Sequence, residues 1–300
     1  MMRYIRYFAL ICLLVLIGFG QTTRAEDDIN IQLIRVKTDD GVILTGILRR
    51  PRMSKETGCV VLIHGYNGNF YSGVMEFLPE ALTRTGFATL AINMRDHDRG
   101  PKKSRFEENR DDIAAAVEKM AQLGYNPIFL YGHSMGTNRV LYYLGTTRDP
   151  RIKGAILTGP PGNLFKWNIR MFGLKTANRV LHEARDLVAK GKGDHWMLIN
   201  LGPLGKALYT ANHVVSLRGP KTVSDPFKNI SRVSIPILIV HGLADHLAEP
   251  NVADLLRNSA TLSTGVTVVK IPGADHRFDR HRQDLVNIIH RWLIRQLHAS

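Results

Sequence analysis

The chain is predicted to fold as an α/β protein around a mostly parallel sheet with helices on both faces. Short, continuous apolar runs recur along its 300 residues, and amphipathic segments lie between them. Continuous apolar runs are typical of strands buried on both faces, and their alternation with helices favours a parallel sheet. An Asp-Gly turn at residues 40–41, between two strand-like segments, adds an antiparallel hairpin at the start.

The predicted elements follow in chain order. The opening hairpin pairs residues 31–36 with 42–48. The other strands are predicted at 59–63, 88–92, 128–131, 152–158, 235–240 and 266–270, with helices at 75–85, 110–123, 137–144, 252–258 and 284–297. Residues 162–230 interrupt the alternation, because they are helix-like, punctuated by glycine and rich in basic and large apolar residues. We therefore predict a core built from 26–161 and 231–300, with 162–230 as an insertion.

The first 25 residues have the pattern of a secretory signal peptide. Arg3 and Arg6 precede an apolar run over 8–19, and Thr23 and Ala25 supply the small residues of a cleavage site. The apolar run is shorter than the roughly 18 residues of a usual membrane-spanning helix. We expect export to the periplasm or the medium after cleavage near Ala25, with an uncleaved amino-terminal membrane anchor as the alternative.

The charge is strongly positive, which informs partners and not fold. The formal net charge is +14, and removal of the three leader arginines leaves +11. Residues 160–230 hold eleven Lys and Arg against four Asp and Glu, a net of +7. In an exported protein this excess favours anionic ligands or an anionic membrane surface, or it is simply a solvated surface. No zinc-finger spacing or RNA-binding signature is present, so no nucleic-acid partner is expected.

The sequence Gly-His-Ser-Met-Gly at residues 132–136 lies between the predicted strand 128–131 and the predicted helix 137–144. Gly-x-Ser-x-Gly in this setting is typical of a nucleophile elbow, a sharp turn that exposes the serine hydroxyl at the end of a strand. A plain glycine-rich loop is the alternative. Ser134 is therefore the candidate nucleophile.

A serine hydroxyl reacts only when a base takes its proton, and the base needs a group that holds its tautomer. His276 follows the strand 266–270 and is the candidate base; Asp245 follows the strand 235–240 and is the candidate acid. The order Ser, Asp, His matches the order expected with this elbow. Asp275 and Glu249 are the other nearby carboxylates.

Acyl transfer also needs fixed N–H donors for the oxyanion. We expect the backbone N–H groups of Met135, directly after the nucleophile, and of Tyr66, in the loop after strand 59–63. Three further histidines near these strand ends, His64, His241 and His246, are expected to be structural. His133 lies beside Ser134 and is expected to point in a different direction, because neighbouring residues at a sharp turn do so. Their spacing does not favour a metal site, and no cofactor is expected.

The motifs around residues 64–65, 132–136, 241–245 and 273–276 resemble those of the α/β-hydrolase superfamily, and the Gly-His-Ser-Met-Gly form is similar to lysophospholipase- and monoacylglycerol-lipase-like esterases. The resemblance implies the α/β-hydrolase fold, a helical cap at 162–230, and a serine hydrolase acting on a small-molecule ester with a lipid-like or hydrophobic acyl group. The cap is expected either to roof an acyl-binding site or only to pack on the core. An acyltransferase, a thioesterase, a peptidase and a non-catalytic binding protein are the alternatives.

Overall fold

The computed structural model describes residues 28–52, 57–200, 205–220 and 222–299. The predicted leader and its cleavage site near Ala25 lie outside the described residues. The strands are β1 (Ile29–Lys37), β2 (Ile43–Pro51), β3 (Cys59–Ile63), β4 (Ala88–Ile92), β5 (Ile128–His133), β6 (Ile152–Thr158), β7 (Trp196–Asn200), β8 (Lys206–Thr210), β9 (Ile237–Gly242) and β10 (Val266–Ile271). The helices are α1 (Val74–Arg84), α2 (Asn109–Gln122), α3 (Met135–Thr147), α4 (Leu164–Phe172), α5 (Leu174–Ala189), α6 (Ala211–Arg218), α7 (Pro226–Ile230), α8 (Val252–Ser259) and α9 (Arg282–Ala299).

Eight strands form one sheet in the order β1-β2-β4-β3-β5-β6-β9-β10. Strand β2 pairs antiparallel with both β1 and β4, and the remaining pairs are parallel. The predicted mostly parallel sheet with an antiparallel amino-terminal hairpin is therefore confirmed. In this arrangement the carboxyl ends of β3, β5, β6 and β9 are neighbours at one edge, where sites of open parallel sheets form.

The core consists of two apolar layers, one on each face of the sheet. Helices α2, α3 and α8 cover one face, and α1 and α9 cover the other. Alternate residues of a strand point to opposite faces, so that Val61 packs in the first layer and Val60 and Leu62 in the second. Both layers need apolar side chains, which is why the central strands read as continuous apolar runs. The helices therefore cover both faces, as predicted.

The insertion at 162–230 contains α4 to α7, as the helix-like pattern indicates, and also an antiparallel ribbon of β7 and β8 that the sequence did not predict. Met197 and Ile199 point inward, whereas Trp196 and Leu198 are exposed. Apolar residues on both faces hide the alternation that usually identifies a strand.

The ribbon is attached to the core by backbone hydrogen bonds. Lys102 N donates to Leu208 O, and Thr210 N donates to Lys102 O, each over 2.9 Å. Lys102 lies in the loop after β4, so this loop forms a single-residue parallel β-bridge with Tyr209 of β8. In the part of the chain that the structure describes, no helix has both the length and the apolar character needed to cross a bilayer.

Candidate active site

Ser134 occupies a sharp turn between β5 and α3. Its backbone has φ 53° and ψ −126°, a region that non-glycine residues rarely adopt. The turn is fixed on one side because Ser134 N donates to Thr158 O of β6 over 2.9 Å. The two flanking glycines permit the close approach of backbone segments. A Cβ at Gly132 would lie 2.5 Å from Gly136 O, and a Cβ at Gly136 would clash with Ile63 O of β3. The predicted elbow therefore has the expected strand–turn–helix geometry.

The turn places Ser134 in a cavity of about 620 Å³ that His276 also lines. Gly65, in the loop after β3, lies against the serine: a Cβ on Gly65 would be 2.8 Å from Ser134 Cβ. Among the described residues there is no direct hydrogen bond between Ser134 Oγ and His276. Catalytic hydrogen bonds are often long in the absence of substrate, so the shared cavity is the relevant geometry.

Asp245 is the carboxylate that contacts His276. His276 Nδ1 lies 2.7 Å from Asp245 Oδ2. Asp245 Oδ1 accepts from the backbone N–H groups of Leu247 and Ala248, each over 2.8 Å. Burial opposes ionisation of this carboxyl, but hydrogen bonds from His241 and His276 outweigh burial and hold the pKa of Asp245 well below its usual range. Asp245 is therefore an anion that faces the imidazole.

The two alternative carboxylates lie elsewhere. Asp275 is exposed, and its Oδ1 accepts from the N–H groups of Arg277 and Asp279. Glu249 is more than half exposed and lies 3.6 Å from Arg170 of the insertion. Of the three carboxylates considered from sequence, Asp245 is the one that hydrogen bonds to His276.

Two histidines that were given no catalytic role from the sequence, His241 and His133, lie directly against this pair. His241 ends β9 fully buried, and its Nε2 lies 3.3 Å from Asp245 Oδ2. The ring of His133 lies 4.9 Å from the ring of His276, and His133 also lines the cavity. Burial, together with the neighbouring His276, holds the pKa of His133 well below its ordinary value. Its ring is therefore a neutral wall beside His276.

The loop after β3 is held by a buried polar network. His64 Nε2 accepts from Met94 N over 3.0 Å, and His64 Nδ1 lies 2.7 Å from Gly65 O. These partners require a neutral ring with the proton on Nδ1, and burial lowers the pKa of His64 to about 3. Arg139 of α3 donates to His64 O over 3.0 Å and to Asp96 Oδ1 over 2.5 Å. His64 is thus structural, as expected.

The pair between Arg139 and Asp96 could not be found from the sequence. The two residues are 43 positions apart, and both are buried. Burial opposes ionisation of Asp96, but the charges of Arg139 and of the neighbouring His213, Lys102 and His64 together outweigh burial and lower the pKa of Asp96 to about 2. Both groups are therefore charged, and they link α3 to the loops that follow β3 and β4. Tyr66 and Met135, the predicted oxyanion residues, line the cavity together with Ser134.

The insertion forms part of the cavity wall. Leu164, Trp167 and Arg218 of the insertion line it together with residues of the core. Trp167 Nε1 donates to Leu247 O over 2.7 Å, which ties α4 to the loop after β9 that carries Asp245. The insertion therefore lies over the site and does not only pack elsewhere on the core.

Comparisons with known proteins agree with this architecture. Residues 58–173 match the family model described as the alpha/beta hydrolase fold. Phospholipase YtpA of Bacillus subtilis is 29% identical over 114 residues, 36% of this chain; the chain therefore spans 42% of the length of that relative. A second relative, named for non-heme chloroperoxidase activity, is from Synechocystis sp. and is 24% identical over 250 residues, 76% of this chain and 88% of the relative.

Among solved structures, Est1E from Butyrivibrio proteoclasticus has a TM-score of 0.66 at 20% identity, covering 89% of this chain and 99% of that one. At this identity the likeness concerns the fold. The sheet order, the turn at Ser134 and the match of residues 58–173 to the family model agree with one another, and the chain has the α/β-hydrolase fold.

Proposed function

We propose that the protein is a serine hydrolase that cleaves a carboxylic ester through an acyl-enzyme on Ser134. The observation that carries the proposal is the hydrogen bond of 2.7 Å between His276 Nδ1 and Asp245 Oδ2, with His276 and Ser134 in one cavity. The name of the relative YtpA, a phospholipase, is consistent with an ester substrate.

In this proposal each residue has a defined task. His276 takes the proton of the Ser134 hydroxyl as that oxygen attacks the carbonyl carbon, and it later returns a proton to the leaving alcohol. Asp245 accepts from Nδ1, which leaves Nε2 unprotonated for this work, and it stabilises the imidazolium that forms. The N–H groups of Met135 and Tyr66 stabilise the oxyanion, and water then attacks the acyl-enzyme.

The cavity favours a substrate with an apolar acyl group. Its lining includes Val74, Met75, Leu164, Trp167 and Leu247 around the polar centre. Apolar walls with few placed polar groups are typical of small-molecule sites. Thioester cleavage, peptide cleavage and acyl transfer to another alcohol would use the same three residues, and a binding protein would use only the cavity.

Covalent labelling tests the proposal directly. A fluorophosphonate probe should modify the wild-type chain at one serine, and Ser134→Ala should remove the modification. Ser259→Ala, at a partly exposed serine that ends α8, is the matched control and should be labelled like the wild type. Absence of labelling in correctly folded wild-type protein would contradict the hydrolase proposal. A chain-length series of p-nitrophenyl esters then defines the acyl preference; hydrolysis of the ester series with no acceptor alcohol present distinguishes a hydrolase from a transferase.

We propose also that the protein is exported and that its insertion contacts an anionic lipid surface. The export proposal has its support in the first 25 residues of the sequence. The surface proposal has support in the ribbon, because Trp196, Leu198 and Leu208 are 43%, 68% and 36% exposed and Leu198 pairs with Leu208 across the strands. An apolar surface with surrounding basic charge suits an anionic membrane.

Vesicle binding and cell fractionation test these proposals. Vesicles with phosphatidylglycerol should bind the protein, less so as salt rises, and Leu198→Ser should weaken binding. Leu262→Ser is the control, because Leu262 is a leucine outside the insertion that is also 55% exposed. Equal binding by both variants, or binding to neutral vesicles alone, would refute the lipid proposal. Recovery of the full-length chain in the cytosol of the native host would refute export.

A further inference from the structure

Arg218, the last residue of α6, places a buried cation in the wall of the catalytic cavity. Arg218 is 5% exposed, and it lines the cavity together with Ser134 and His276. The guanidinium carbon lies 5.3 Å from the centre of the Tyr66 ring. Tyr66 follows Gly65, which lies against the side chain of Ser134. The guanidinium therefore lies beside the Tyr66 ring in the same cavity as Ser134.

The charge of Arg218 has no counterion among the described residues. No carboxylate of the described residues lies within 4.0 Å of the guanidinium, whereas the buried Arg139 lies 2.5 Å from Asp96. Arg218 Nη1 donates to Asn168 Oδ1, and Nε is buried without a partner. Burial lowers the pKa of Arg218 below its ordinary value. A buried cation that lacks a paired anion is costly to the folded protein.

Aromatic rings compensate this charge only in part. The guanidinium carbon lies 5.8 Å from the ring centre of Tyr209 and 5.9 Å from that of Trp167, in addition to Tyr66. Cation–π contacts at these distances are weaker than a bidentate bond to a carboxylate or phosphate. The Nε–H donor of the group is buried without a hydrogen-bond partner among the described residues, and Nε is one of the donors with which a guanidinium binds such anions in a bidentate manner.

The other charged side chains described in the cavity lining are also positive. Arg99 and Arg277 also line the cavity, and no Asp or Glu is found among the described residues of its lining. Both arginines are exposed, so they attract an anion from solvent, whereas Arg218 can bind it away from water. A cavity of this kind disfavours cationic substrates and suits an ester that carries a negative charge.

We propose that Arg218 binds an anionic group of the substrate, a carboxylate or a phosphate located a few bonds from the ester that Ser134 attacks. The inference rests on the proposed ester hydrolysis. It narrows the substrate from apolar esters in general to amphipathic esters with one anionic group, whose apolar part contacts Leu164 and Trp167.

A pair of matched esters tests the inference. Mono-p-nitrophenyl glutarate and p-nitrophenyl valerate have the same chain length, and the first carries a carboxylate in place of a methyl group. Arg218→Gln should lower kcat/KM for the glutarate ester about 10- to 100-fold, mainly through KM, as expected for loss of a charged hydrogen-bonded pair. The kcat/KM for the valerate ester should change less than about threefold, a difference too small to represent a lost charged pair. Arg179→Gln, at an exposed arginine of α5, is the control and should leave kcat/KM unchanged for both esters.

Anion binding gives a readout that does not need turnover. Glutarate or inorganic phosphate should raise the Tm of the wild type and of Ser134→Ala, and not that of Arg218→Gln. A larger shift with phosphate identifies a phosphate group as the preferred anion, and a larger shift with glutarate identifies a carboxylate. If neither anion shifts the wild-type Tm, or if Arg218→Gln slows both esters equally, the inference is wrong. If the wild type hydrolyses neither ester and resists the fluorophosphonate, the proposed function fails instead, and the Tm shifts still test Arg218.

Discussion

Replacing Asp245 by asparagine changes one atom and should disable the catalytic base. In the native chain Oδ1 accepts from Leu247 N and Ala248 N, each over 2.8 Å, and Oδ2 faces His276 Nδ1. The two backbone N–H groups need an acceptor, so the amide oxygen of asparagine takes the Oδ1 position. The amide NH₂ then faces His276 Nδ1, which has to accept. The proton of a neutral His276 therefore moves to Nε2, and the ring can no longer take the proton of Ser134.

A wrong tautomer at this position in a serine triad lowers kcat about 10⁴-fold, or roughly 5 kcal/mol of activation free energy. We expect a loss of this size for Asp245→Asn, measured as kcat on a p-nitrophenyl ester with circular dichroism as the check of folding. Asp275→Asn is the matched control, because its exposed carboxylate accepts only from backbone N–H groups, which an amide oxygen can replace. A folded Asp245→Asn variant within tenfold of the wild type would show that this reasoning about the tautomer is incorrect.

Two further predictions concern stability. Gly136→Ala places a methyl group against Ile63 O and should lower the free energy of unfolding, measured in urea, by about 1–3 kcal/mol. Gly265→Ala is the control and should lower the free energy of unfolding little, because no atom lies within 4 Å of the added methyl group. Equal losses of stability in the two variants would contradict the packing argument. Burial lowers the pKa of His213 from 6.5 to about 4, so the folded state disfavours its protonation. Stability should be complete above pH 6.5 and fall as pH drops toward 4, by at most about 3 kcal/mol from this residue. His213→Asn keeps a donor for Ser104 O and should flatten that decline; an unchanged slope would refute the assignment.

The central strands could be predicted closely from the sequence. Strands β3, β4 and β6 have the predicted bounds, because a strand buried on both faces must be apolar at nearly every position, and a charged or turn residue ends it. The strand ends in turn indicated Ser134 and His276, since function-bearing residues follow the carboxyl ends of parallel strands.

Contacts between distant segments could not be predicted in this way. The partner of Arg139 is Asp96, on a different loop, and the helical pattern around Arg139 only indicated a helix. His241 is four residues before Asp245, and only the fold of the loop after β9 shows that the two side chains meet. The position of Arg218 in the cavity wall depends on how the insertion folds back over Ser134, for which a local sequence pattern has no signal.

The backbone bonds between Lys102 and strand β8 have a consequence for how substrate enters. The insertion is attached to the core along one side, because the backbone of Lys102 forms hydrogen bonds with both Leu208 and Thr210. The Lys102 ammonium also donates to Asp96 O over 2.5 Å. The Asp96 carboxylate accepts from Arg139, and Arg139 donates in turn to His64 O, the carbonyl before Gly65. Displacement of the insertion on this side therefore has to break or strain a series of hydrogen bonds that reaches the loop after β3, which lies against Ser134. Substrate entry that leaves these bonds intact keeps this loop in place beside Ser134.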